Sequence, residues 1–72
     1  MFILYGDRRI NFLLVKEYKA VSETKIGKTY HKIKLTFLDG SVDFFHFFDK
    51  KDERDEYLKK LDEDVRIQSK SN

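Results

Sequence analysis

Three groups of residues in this 72-residue chain have the types that chemistry needs: Gly27-Lys28-Thr29, the pair His31 and His46, and the acidic run from Asp49 to Asp64. Gly-Lys-Thr is how a phosphate-cradling loop ends, where backbone N–H groups and an ammonium surround the phosphates. That loop also needs a glycine five residues before Gly27, where Ser22 stands, and a helix after it, where this chain has strand-forming residues. A basic hairpin loop is the better account, which leaves Lys25 and Lys28 as phosphate contacts of the kind any exposed lysine can make. His31 and His46 fall two rungs apart on adjacent strands in the expected register, but two imidazoles without a carboxylate are too few to hold a metal. The acidic run lacks the glycine and the alternating ligands of a calcium loop and reads as a solvated helix. There is no Cys, and no Ser or Thr stands with a His and an acid in a nucleophile motif. The expectation is therefore no enzyme: no catalytic residue, no cofactor, no metal and no small-molecule substrate.

What remains is binding. The run Phe44-Phe45-His46-Phe47-Phe48 puts large aromatics on both faces of one strand, because successive side chains alternate. Asp39-Gly40 is a favoured pair for a two-residue type I′ hairpin turn, and taking it literally sets Leu35 opposite Phe44, Ile33 opposite His46 and His31 opposite Phe48. One face is then Ile33, Leu35, Phe37, Val42, Phe44 and Phe48, with His31 and His46 at its far end. The other is Lys32, Lys34, Thr36, Asp43, Phe45 and Phe47. Burying two unpaired lysines is costly, so the first is expected to be the core. The second, with Phe45 and Phe47 beside Lys32 and Lys34, is expected to be the interface or ligand face. Its structural alternative is that the N-terminal strand, or Phe12-Leu13-Leu14, folds over Phe45 and Phe47 as a second core layer.

The elements that position these residues follow from local pattern. Met1–Tyr5 reads as a short strand before a turn at Gly6-Asp7, and Ile10–Val15 as a short strand leading into a bend. A longer strand runs to about Thr24, a basic loop spans Thr24–Thr29, and the hairpin Tyr30–Leu38/Ser41–Phe48 follows. Asp49 is the expected N-cap of a helix with Asp52 and Glu53 in its first turn. The helix is expected to present Tyr57, Leu58 and Leu61, with Val65 at the end of the stripe, to the core, to carry the pairs Asp55–Lys59 and Glu56–Lys60, and to fray at Asp62-Glu63-Asp64. The fold class is α+β: a small antiparallel sheet of four or five strands with one C-terminal helix on one face, a single domain over residues 1–67 and a disordered tail over 68–72. Phe2 or Ile3 and Tyr18 complete the expected core. Truncating Leu35 or Phe44 to Ala is expected to cost about 2–5 kcal/mol.

Charge is divided along the chain. Residues 1–38 carry 8 Lys/Arg against 3 Asp/Glu, a net of +5, whereas residues 39–72 carry 7 against 10, a net of −3. The strand-rich half can therefore face an anion. No window reads as a signal peptide or a membrane span, and the absence of Cys fits a reducing compartment, so the cytoplasm is the expected location. Strands followed by one C-terminal helix resemble the layout of Whirly-like and transcriptional-coactivator-type single-stranded DNA binders, which work as dimers. The likeness is one of layout, and no residue motif or site is carried over from them. The functional expectation is a non-catalytic interaction module, a homodimer or protein-binding adaptor acting through the Phe45/Phe47 face. Single-stranded nucleic-acid binding through the same face is the alternative, and a mobile-element protein that binds a host factor is a third.

Overall fold

The computed structural model describes residues 2–70. Strands β1 (Phe2–Tyr5) and β2 (Arg8–Asn11) form an antiparallel hairpin around Gly6-Asp7. Gly6 sits at φ +63°, the conformation a two-residue turn of this hand asks of its first residue. A single 3-10 turn, Phe12–Leu14, is capped by the Asn11 side chain accepting from the Leu13 N–H at 3.2 Å. It leads into β3 (Val15–Lys25), β4 (Lys28–Phe37) and β5 (Val42–Phe48), which make a three-stranded antiparallel sheet in that order. Helix α1 (Lys51–Lys70) closes the chain. The class is α+β as expected, but the strands divide into sheets of two and three and do not join into one of four or five.

The hairpin β1–β2 and α1 lie on the same face of the larger sheet. Ile3, Ile10, Phe12, Ile33, Leu35, Phe45 and Leu61 are buried between these layers, with Tyr5, Tyr18, Phe37, Phe47, Tyr57, Leu58 and Val65 packed around them. Of the two N-terminal candidates, Ile3 is inside and Phe2 exposed. The helix is fastened to both layers. Arg54, only 5% exposed, donates from Nη1 to the Val21 carbonyl at 2.9 Å and to Ser22 Oγ at 3.2 Å, and from Nε to Asp55 at 2.9 Å. Tyr57 donates to the Leu4 carbonyl at 3.0 Å and Tyr18 to Asp62 at 2.7 Å.

The register of β5 corrects the expectation. Ile33 pairs with Phe45, Lys34 with Phe44, Leu35 with Asp43 and Thr36 with Val42. The turn holds three residues, Leu38-Asp39-Gly40: Gly40 N–H donates to the Phe37 carbonyl at 2.9 Å and Phe37 N–H to the Ser41 carbonyl at 2.8 Å. Gly40 alone has positive φ (+89°), whereas a type I′ turn would require it of Asp39 as well. One added residue slips the partner strand by one and turns the β5 side chains from Val42 to Phe47 to the opposite face, while the extra residue at Phe47 restores the expected His31–Phe48 pair. Val42, Phe44 and Phe48, expected in the core, face outward, with Val42 47% and Phe48 64% exposed. Phe45, expected on the interface, is wholly buried. Its ring stacks on Tyr5 at 4.4 Å and meets the edge of Tyr57 at 5.6 Å, while Phe47 lies 5.5 Å from Tyr5 and 5.6 Å from Tyr57. The chain's own N-terminal hairpin covers these two rings, which was the structural alternative for them.

Smaller corrections follow from the same hydrogen bonds. The first helical acceptor is the Lys50 carbonyl, which takes the Arg54 N–H at 3.2 Å, so the helix begins one residue after the expected Asp49 cap. Asp52 and Glu53 do occupy the first turn. In place of Asp55–Lys59 and Glu56–Lys60, the helix pairs Lys51 with Asp55 at 2.6 Å and Lys50 with Glu53 at 3.8 Å. It continues past Asp62-Glu63-Asp64 because Asp62 accepts from Tyr18 and Leu61 and Val65 are packed against the core. Of the tail expected at 68–72, residues 68–70 lie in the helix, and 71–72 are outside the described residues, as is Met1.

The Tyr18 hydroxyl is pushed up to about 12 by burial, then by its bond and proximity to Asp62. A folded-state value above the unfolded one near 10 favours the neutral phenol in the native protein. The resulting stabilisation is complete below pH 10 and is lost as pH rises from about 10 to 12. Thermal unfolding monitored at rising pH should therefore show Tm falling through this window. Tyr18→Phe should flatten that fall; an unchanged alkaline slope would disprove the linkage.

Candidate functional site

The uncovered face of the three-stranded sheet is built in rows by its pairing. Lys19, Lys34 and Phe44 form one row across β3, β4 and β5, and Val21, Lys32 and His46 the next. Glu23 then stands opposite Tyr30, and Lys25 opposite Lys28. Along β5 the rings of Phe44, His46 and Phe48 make a ladder, with centroids 6.1 Å and 6.3 Å apart and planes inclined by 38° and 32°. Successive same-face side chains on a strand lie about 6–7 Å apart, so the ladder repeats the strand's own period.

Phe48 keeps its place in the ladder through an irregular backbone. His31 pairs with Phe48 and Lys32 with His46, leaving Phe47 as an extra residue on β5. A turn follows, closed by Lys50 N–H on the Phe47 carbonyl at 3.0 Å, and Phe48 within it has φ +55°. An aromatic residue in the left-handed region carries backbone strain of about 1–3 kcal/mol. Neither burial nor turn preference accounts for a phenylalanine at this position.

The lysines concentrate positive charge along this side of β3 and β4. Lys19 and Lys34 face each other directly, as do Lys25 and Lys28, and like charges directly opposite are destabilising in a sheet. Among the described residues neither Lys19 nor Lys34 forms an ion pair. Two acids stand amid this charge, Glu17 opposite Thr36 and Glu23; Glu23 accepts from Lys32 at 2.9 Å and lies 3.3 Å from Lys25, and these bonds, Lys32 first, hold its carboxyl below the usual range. The Lys32 ammonium also lies 5.3 Å from the Phe44 ring centroid, a cation–π contact.

Beyond the end of β5, β3 and β4 continue as a two-stranded arm. Its tip is Ile26-Gly27, both at positive φ (+50° and +73°), so the two-residue I′-like turn lies here and the basic loop is shorter than Thr24–Thr29. The molecule measures 45 Å along its longest axis against widths of 26 and 21 Å. Ile26 is fully exposed in a conformation that β-branched residues avoid. Ile26→Asn should supply the residue this turn prefers and raise Tm by about 4–8 °C, as expected for about 1 kcal/mol in a domain this small. A lower Tm would mean that Ile26 has a packing role in the fold.

Of the expected site residues, Lys32 and Lys34 are on the open face and Lys25 and Lys28 on the arm, but Phe45 and Phe47 are inside. Sequence reasoning missed Phe44, His46 and Phe48 as the presented rings, together with Lys19 and Tyr30. The signal that identifies the rings is the turn's capacity for three residues with Gly40 in the left-handed position. His31 and His46 are on opposite faces: His31 bonds Ser22 Oγ at 2.9 Å on the helix side, whereas His46 is exposed within the ladder. Among the described residues no group of three or more His, Asp or Glu is placed to hold a metal, and no helix is long and apolar enough to cross a membrane. No protein-family model, curated protein or solved structure matches the chain.

Proposed function

We propose that this protein is a non-catalytic binding module for single-stranded nucleic acid, acting through the open sheet face of Phe44, His46 and Phe48 with Lys19, Lys32 and Lys34. The observation that carries the reading is the combination of an evenly spaced ring ladder with unpaired lysines opposite one another. Bases stack on rings without regard to sequence, while ammonium groups follow the phosphates. The acidic helix is on the other side of the sheet and leaves this face as the one an anion approaches.

Self-association was the first expectation, through Phe45 and Phe47, and those rings are occupied by the chain's own hairpin. A two-fold contact through the open face would bring lysine rows together, and interface cores are depleted in lysine. The reading is tested by anisotropy of a labelled oligothymidylate of about ten nucleotides. Binding should be present at low salt and fall with a log–log slope of about −2 if Lys19, Lys32 and Lys34 each meet a phosphate. No binding at low salt would overturn the reading. Twice the monomer mass in light scattering, together with no binding, would make the face a self-docking surface or, for a heterologous mass, an adaptor surface.

A further inference from the structure

The ladder does not run off the sheet at its Phe48 end. There the arm and the last rungs enclose a cleft of about 510 Å³, walled by Tyr30, His46 and Phe48 and bordered by Lys25, Lys28 and Lys32. This volume is within the range of small-ligand sites and well above what a bare inorganic anion needs. The walls are aromatic and the rim cationic, so the complementary ligand has a flat π-face and a negative charge a few ångströms away. Glu23 also borders the cleft and pairs with the Lys25 and Lys32 ammonium groups. Lys25 and Lys28, directly opposite at the arm's end, concentrate positive charge where no second acid stands between them.

We infer that this cleft binds a nucleoside monophosphate unit, its base against the Tyr30, His46 and Phe48 walls and its phosphate on Lys25 and Lys28. The ladder ends with β5 at Phe48, where the cleft lies, so the unit is the terminal nucleotide of a strand stacked on the rings, bearing a phosphate. The strand-borne source rests on the nucleic-acid reading of the sheet face; a free mononucleotide, which has the same chemistry, does not.

The experiment uses the full chain with four probes: oligothymidylate without a terminal phosphate, the same strand phosphorylated at the 5′ or at the 3′ end, and thymidine monophosphate alone. Affinities come from anisotropy, and amide shifts of Lys25, Lys28, Tyr30 and His46 from ¹H–¹⁵N spectra. One phosphorylated strand should bind about 10-fold tighter than the plain one, a difference of about 1.4 kcal/mol. Lys25→Gln with Lys28→Gln should remove that increment while leaving the rest of the spectrum in place. Mononucleotide that shifts the cleft amides and competes with the phosphorylated strand would identify the free ligand as the source. Equal affinities for all strands, with no cleft amide moved by the mononucleotide, would overturn the inference even if strands bind. Failure of every strand to bind, with cleft amides moved by the mononucleotide, would instead retain the cleft and remove the sheet-face reading.

Discussion

Replacing Phe45 by Ala should remove about a third or more of the protein's stability, whereas replacing Phe44 by Ala should leave nearly all of it. Phe45 is wholly buried, stacked on Tyr5 and edge-on to Tyr57, and its truncation removes a ring from the centre of the only extensive core among the described residues. Such truncations cost about 3–5 kcal/mol. A 72-residue domain has about 4–11 kcal/mol in all. Phe44 is partly exposed and contributes its contact with Lys32, worth about 0.5–1 kcal/mol. Urea titrations of the two variants should therefore show a midpoint far below wild type for Phe45→Ala and one close to wild type for Phe44→Ala. The reverse order would restore the register implied by a two-residue Asp39-Gly40 turn.

The second large effect concerns binding without stability. Phe44→Ala combined with Phe48→Asn removes two rungs of the ladder, and asparagine accepts the left-handed backbone that Phe48 adopts. Stacking is worth about 1–3 kcal/mol per base, so affinity for single strands should fall by at least ~30-fold. Thermal stability should hold or rise, since relief of the φ +55° conformation offsets the small loss of ring contact. Lys34→Gln should act differently, lowering affinity for all strands and reducing the salt slope by about 0.7. A double variant that binds as tightly as wild type would show that the rings are not the platform.

The elements of this fold are legible in the sequence because each is punctuated. Gly6-Asp7, the Ile10–Val15 bend and the acidic start of the helix all lie near where local chemistry puts them. The register of β5 is not legible, for two physical reasons. Asp-Gly serves a two-residue turn and a three-residue turn with a left-handed glycine equally well. Phe-Phe-His-Phe-Phe offers bulky apolar surface to either face, so alternation cannot choose between them. The lysines on β4 are on one face in either register, which is why Lys32 and Lys34 were identified while their aromatic partners were exchanged. The I′-like turn that does occur, at Ile26-Gly27, has a first residue that no turn preference selects.

The near-symmetry of β5 means that the identity of the presented rings is decided away from them. A slide by one residue would exchange presented and buried phenylalanines with little change in apolar composition, so the strand itself supplies little resistance. Resistance comes from the inner side: Arg8 pairs with Asp43, and the Tyr5 hydroxyl donates to the His46 carbonyl. The N-terminal hairpin thus acts as a latch on strand alignment. Loosening it, for instance with Arg8→Ala and Tyr5→Phe, would leave two alignments competing within one molecule, each displaying a different pair of rings.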